Sequence, residues 1–162
     1  MIHIISAIQK KDRGIGYQND LLYHIPADMK RFRDLTRDTV VIMGRATWES
    51  LPDAFRPLPY RENIVLSGQA HYDAPGARVY TSLPEALAYA QSLDKEIFII
   101  GGSSVYAEGL AYADTLHLTL IHGDKPADTF FPPYEHLFTK ETKEGDFVSP
   151  DGIAYSFVML EK

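Results

Sequence analysis

Glu96-Ile97-Phe98-Ile99-Ile100-Gly101-Gly102-Ser103-Ser104-Val105-Tyr106 decides the fold. An apolar run of strand length stops at a glycine pair, and a helix start follows over Ser103–Leu110. Strand, tight turn, helix is the repeating unit of an α/β sheet. The same order occurs upstream, where Thr39–Met43 reads as a buried strand and Gly44-Arg45-Ala46-Thr47-Trp48-Glu49-Ser50 as a turn with a short helix. Further out, Ile2–Ile8 is a near-continuous apolar run, the pattern of a central strand covered on both faces. Asn63–Ser67 and Thr115–Ile121 read as strands, Ala77–Tyr80 as a short one, Ala154–Leu160 as the last, and Glu141–Glu144 as a weaker one. Ser82 is set as N-cap of a helix to about Leu93, and Ser82-Leu83-Pro84-Glu85 has capping-box spacing. Lys10–Asp20, Asp53–Arg61, Gly68–Gly76 and Asp124–Pro133 read as loops. Short loops between alternating strands and helices predict a mostly parallel sheet, with ligands at the carboxyl ends of its strands. Those ends are Ala7, Gly44, Ser67, Gly101-Gly102 and Thr119.

The chain has 162 residues, suited to one domain over 1–162 with its own core. Its net charge of −6 and lack of a basic block argue against nucleic acid and membrane as partners. It has no cysteine, so thiol catalysis and thiolate metal sites are excluded, which fits a reducing cytoplasm. Met1–Ile8 is too short to span a membrane and has neither a basic leader nor a cleavage site.

Leu21-Leu22-Tyr23-His24-Ile25-Pro26-Ala27-Asp28-Met29-Lys30-Arg31-Phe32 reads as a loop feeding a helix, with Pro26 at its first position. At about 100° per residue, Met29, Phe32 and Leu35 share one face, with Asp28 between Phe32 and Leu35; Lys30, Arg33 and Asp34 point away. An inward carboxylate needs a partner or a purpose. The bland reading is an acid favoured by the helix dipole in the first turn, and this segment alone leaves both standing. The two glycine turns each place a flexible backbone before a helix start, where free N–H groups can meet a phosphate. Together they suggest a dinucleotide across both turns, although Gly-Gly after a strand is more often a plain turn. There is no G-x-G-x-x-G, no Walker A pattern and no G-x-S-x-G elbow. The six histidines lack ligand spacing, so no metal is expected, and His3 and His117 read as structural. Asp28 remains as the candidate acid, and borrowed redox chemistry from a nicotinamide as its natural partner.

These residues make the chain resemble the bacterial dihydrofolate reductases. The resemblance runs nearly end to end through Ile15-Gly16, Ile25–Asp28, Val41–Ser50, Pro57–Ser67, Ile99–Tyr106, Leu118-Thr119 and Asp128–Pro132. It implies a central eight-stranded, mostly parallel sheet with an antiparallel C-terminal strand and about four helices. The implied reaction is hydride transfer from NADPH to 7,8-dihydrofolate, giving tetrahydrofolate for one-carbon and thymidylate metabolism. By the same resemblance Asp28, Thr119 and Tyr106 are catalytic. Asp28 would hold the pterin 2-amino group and N3, and Thr119 would join through its hydroxyl. Ile5, Ala7, Leu21, Tyr23, Met29, Phe32, Leu51, Leu58 and Ile100 would line the substrate slot, and Arg61 would take the α-carboxylate of the substrate's glutamate. Ala7, Ile15, Gly44, Arg45, Ala46, Thr47, Leu66, Ser67, Gly68, Gly101, Gly102, Ser103, Ser104, Val105, Tyr106 and Thr129 would hold the cofactor. A cis peptide is implied at Gly101-Gly102. Antifolates such as methotrexate or trimethoprim would bind, and the protein would be a cytoplasmic monomer.

The chain departs from that family at several places. Tyr23 stands where tryptophan is usual, and Leu22 where proline is common. Ala46, Gly68 and Ser104 stand where relatives often carry a histidine, a hydroxyl residue and an arginine against the cofactor's 2′-phosphate. Only Arg45 remains, so a weaker preference for NADPH over NADH is expected. Ala127 replaces a glycine, and Asp53–Arg56 is an insertion near the exit of the substrate tail. The competing readings are a pterin or pyrimidine reductase of the same fold, such as a riboflavin-pathway enzyme, and a catalytically silent nucleotide- or antifolate-binding module.

Overall fold

A computed structural model describes all 162 residues. Eleven strands and four α-helices follow in the order β1 (Ile2–Gln9), β2 (Gly14–Tyr17), β3 (Asp20–Leu21), α1 (Pro26–Thr36), β4 (Val40–Gly44), α2 (Arg45–Ser50), β5 (Glu62–Leu66), β6 (Arg78–Tyr80), α3 (Leu83–Ser92), β7 (Ile97–Ile99), α4 (Ser103–Gly109), β8 (Thr115–His122), β9 (Thr129–Phe130), β10 (Lys140–Val148) and β11 (Ala154–Glu161). Eight of the strands form one sheet in the order β10-β11-β8-β1-β7-β4-β5-β6. Pairing is parallel from β8 through β6, and β11 runs antiparallel to both β8 and β10.

Strand alternation decides which helices cover which face. Ile4, Ile42, Ile64 and Ile99 point to one side, where Leu83 and Leu87 of α3 and Val105 and Tyr106 of α4 close the larger core. Their neighbours Ile5, Val41, Met43, Val65 and Phe98 point to the other, where Trp48 of α2 and Phe32 and Leu35 of α1 pack. The expected helix starts hold: Pro26 opens α1, and Ser82 caps α3 by accepting from the Glu85 backbone N–H (3.3 Å). None of the helices is long and apolar enough to cross a membrane.

Four expectations are corrected. Lys10–Asp20 is not plain loop, because it holds β2 and the start of β3. Asp124–Pro133 contains β9, and these three strands make a second small sheet, β3-β2-β9. The β2–β3 hairpin turns on Gln18 and Asn19, both at positive φ (51° and 64°), a turn that Asn-Gly signals far more plainly than Gln-Asn does. The strand expected at Glu141–Glu144 runs from Lys140 to Val148. As an edge strand it meets water on both faces, so it lacks the alternation that marks a half-buried strand. Asp53–Phe55, read as loop, forms one 3₁₀ turn.

Candidate active site

The parallel strands deliver Ala7, Gly44, Leu66, Ile100 and Thr119 toward one edge of the sheet. Ala7 pairs in register with Thr119, and Gly44 with Leu66. The two glycine turns abut: Gly44 N–H donates to Gly101 O (2.8 Å), and Ile100 N–H to Ile42 O (2.9 Å). Gly101–Gly102 is a cis peptide, and Gly101 has φ 131°. A Cβ on Gly101 would stand 3.3 Å from Thr47 Oγ1 and 3.4 Å from the Tyr106 hydroxyl. On Gly44 it would stand 3.2 Å from Val105. The backbone is therefore bare where the starts of α2 and α4 converge. Val105 and Ser67 are buried, Thr47 and Ser103 half-buried, and Arg45, Ala46, Gly68 and Ser104 exposed. Arg45 Nε lies 3.2 Å from Glu49, and Glu49 also accepts from the Tyr72 hydroxyl (2.9 Å). Thr129 pairs with Gly16 and donates to Asp128, while Ile15 packs on the larger core.

Asp28 is half-buried in the first turn of α1, and Thr119 Oγ1 donates to its Oδ1 (2.5 Å). Burial pushes its carboxyl above the usual range, while the Thr119 hydroxyl and the Arg31 guanidinium pull it back. Asp28 is thus both an acid in the first turn of α1, where the helix dipole favours it, and a carboxylate held by a side chain from another element. Tyr106 is buried, with its hydroxyl 2.8 Å from Ile5 O and 2.9 Å from Ile100 O. Burial raises its pKa strongly and keeps it protonated.

Ile5 and Leu58 are buried, and Ala7, Phe32, Leu51 and Ile100 are half-buried. Met29 and Leu21, expected on the inward face and in the slot, are 45% and 55% exposed. The apolar stripe of α1 packs on the sheet only through Phe32 and Leu35, so its first turn stands at the rim. Arg61 is half-buried on the last turn of α1, where its Nε donates to Thr36 Oγ1 (2.9 Å). The Tyr23 ring is buried, and its hydroxyl donates to Gln9 Oε1 (2.5 Å), away from Asp28's partners.

Three groups were not singled out in the sequence. Ser6 lies beside the Tyr106 hydroxyl. Arg31 sits over Phe157 (4.4 Å) and pairs with Glu144 (2.6 Å). Gln9 is wholly buried with every side-chain polar group bonded. Arg31 falls three residues after Asp28, which places it on the flank of the same face; that spacing was its one available signal. No group of three or more His, Cys, Asp or Glu side chains is placed to hold a metal ion. His3 and His117 are buried against each other, with Nδ1 and Nε2 3.2 Å apart.

A profile of the dihydrofolate reductase family matches residues 1–162. The dihydrofolate reductase of Neisseria gonorrhoeae is 40% identical over 145 residues, covering 89% of this chain and 88% of its own. The type 3 enzyme of Salmonella typhimurium is 38% identical over 164 residues, covering 100% and 98%. The enzyme of Bacillus subtilis is 35% identical over 164 residues, covering 100% and 95%. Among solved structures, dihydrofolate reductase from Enterococcus faecalis complexed with NADP(H) and RAB-propyl is similar, with TM-score 0.86, 33% identity and coverage of 99% and 95%.

Proposed function

The chain belongs to the dihydrofolate reductase family, and on that premise we propose which of its own residues carry the reaction. It reduces 7,8-dihydrofolate to tetrahydrofolate with NADPH. When bound, NADPH supplies the hydride. The bare cradle formed by Gly44 and Gly101-Gly102 fits a dinucleotide backbone, with Thr47 and Val105 beside it, and Ser103 at the start of α4 and Ser67 just after β5 would join them.

Asp28 accepts hydrogen bonds from the pterin 2-amino group and N3, and its charge polarises the ring toward protonation at N5, with water as proton carrier. Thr119 fixes the carboxylate so that its other oxygen faces the ring. Tyr106, held neutral, anchors the end of β7 to β1 beneath the ring. Ile5, Ala7, Phe32, Leu51, Leu58 and Ile100 exclude water from the flat faces. Arg61 takes the α-carboxylate through its guanidinium fork. Methotrexate and trimethoprim are expected to compete for Asp28. The 162 residues act as one functional unit, monomeric and cytoplasmic.

The observation that carries this reading is the half-buried Asp28, held by Thr119 on the strand beside Ala7. Absorbance at 340 nm with dihydrofolate and NADPH tests it. Turnover sensitive to methotrexate is the expected result; methotrexate binding without turnover would identify a silent module instead.

A further inference from the structure

We propose that Arg31 is a positioning residue for the reaction: seated on Phe157 and tied to Glu144 at a β-bulge, its guanidinium holds a fixed positive charge toward Asp28 and keeps that carboxylate ionised when it meets the pterin. The inference rests on the role given to Asp28 above. Helical spacing sets Arg31 three residues after Asp28, on the flank of the same face of α1. Its neighbours on the helix behave differently. Lys30 and Asp34 pair with each other, their side chains 70% and 63% exposed, whereas the Arg31 side chain is 13% exposed. A guanidinium taken that far from water needs partners.

Two strands supply them. The guanidinium lies 4.4 Å over the Phe157 ring of β11. Phe157 pairs in register with Thr119 of β8, so the two side chains stand on one face of the sheet. The hydroxyl that holds Asp28 and the ring that seats Arg31 are therefore neighbours. Arg31 Nη2 donates to Glu144 of β10 (2.6 Å). Glu144 is the extra residue where the β10–β11 register shifts between Lys143 and Gly145, and a bulge of this kind re-aims a side chain. The adjacent Lys143 and Asp146 pair with each other instead (3.3 Å). Burial pushes the Asp28 carboxyl up, and the Arg31 guanidinium opposes that together with the Thr119 hydroxyl. No second cation competes for the role at neutral pH, because burial, His3 and Arg31 hold His117 of β8 down at about 4. Tyr106 of α4 is kept neutral by burial. Arg31 is left as the cation facing Asp28, and Glu144 as the anion facing Arg31.

The test is the carboxyl titration of Asp28 in the free protein, followed by NMR on protein carrying isotope-labelled aspartate, with the signal assigned by its loss in D28N. In R31M, whose side chain refills the seat on Phe157 without charge, the midpoint should move to higher pH. In R31K, which keeps the charge, it should stay near the wild-type value. In E144Q, which relieves the guanidinium of its opposing carboxylate, it should move to lower pH. Damage to packing would not drive R31M and E144Q in opposite directions. The kcat/KM of R31M for dihydrofolate, relative to wild type, should be near unity at pH 8 and about fivefold lower at pH 5.5, roughly 1 kcal/mol, with the loss in KM. An unmoved midpoint in R31M, or shifts of the same sign in R31M and E144Q, would overturn the proposal. Absence of turnover in the wild type would instead overturn the reductase roles, while the titration would still decide whether Arg31 acts on Asp28.

Discussion

In the role proposed for it, Asp28 sets function against stability. Its folded pKa is raised above the ordinary value of 3.8, so the ionised form is disfavoured in the fold. The stability loss appears as pH rises through the unfolded value and is complete above the folded one. Asp28→Asn should therefore melt a few degrees higher at neutral pH, with the gain fading below about pH 4. It should also lose ~100-fold or more in kcat/KM, roughly 3 kcal/mol of charge-assisted bonding. Full activity at neutral pH would remove Asp28 from the role assigned. Its inward aim was legible from helical spacing; its partner Thr119 was not, because the two lie 91 residues apart. Arg45 is the other decisive residue. With Ala46, Gly68 and Ser104 offering no cation and Glu49 drawing on Arg45, a 2′-phosphate meets little positive charge. KM for NADH should then lie within ~1,000-fold of that for NADPH, about 4 kcal/mol; a larger ratio defeats the expectation.

Among the elements, the small β3-β2-β9 sheet was the least legible, since strands of two to four residues carry almost no periodic signal. What holds the loop before α1 is equally remote in sequence. Gln9 at the end of β1 accepts from the Tyr23 hydroxyl and from Lys125 N–H (2.8 Å), and donates to Asp12 (3.1 Å) and Lys125 O (3.0 Å). Lys125 Nζ donates to Leu22 O (3.0 Å) and lies 4.5 Å from the Tyr23 ring centroid. Gly123 leaves room for that ring, because a Cβ there would fall 1.8 Å from the phenol oxygen. A phenol thus ties two loops together. Lys125 is itself exposed, so Lys125→Met should fold normally and melt within a degree or two of wild type. It should be cut about threefold faster by trypsin at Lys10, Lys11 or Arg13, the rate tracking local opening. Unchanged cleavage would mean that the tether holds nothing. The exposed edge strand β10 shows the opposite economy. Lys140, Glu141, Lys143, Glu144 and Asp146 line it, and a register shift at Lys143/Gly145 interrupts its pairing, both of which discourage sheet-to-sheet association.

At the scale of the whole molecule, the alternation of apolar runs with glycine-stopped turns was enough to read a mostly parallel α/β sheet. It was not enough to read the polar side chains that lock the opposite end. There the Met1 ammonium and His3 Nε2 both meet Glu96 (2.9 and 3.1 Å), and Ile2 N–H donates to Asp114 (2.8 Å). His3 also bonds to Thr115, stacks on Phe98 (4.6 Å) and faces His117. These contacts join β1, β7 and β8 across more than 90 residues of sequence. Burial, then His3, then Arg31 lower the pKa of His117 to about 4. A histidine depressed in the fold binds its proton more readily when unfolded, so its contribution is complete above the unfolded value near 6.5 and is lost as pH falls toward 4. Allowing for partial solvent screening, that loss is about 2 kcal/mol. Urea denaturation at pH 7, 5.5 and 4 should show the decline in the wild type, superimposed on the general acid response. In His117→Gln, which keeps a polar group toward His3, the decline between pH 6.5 and 4 should be shallower by that amount. Parallel profiles for the two proteins would show that the histidine pair does not set the acid limit of the fold.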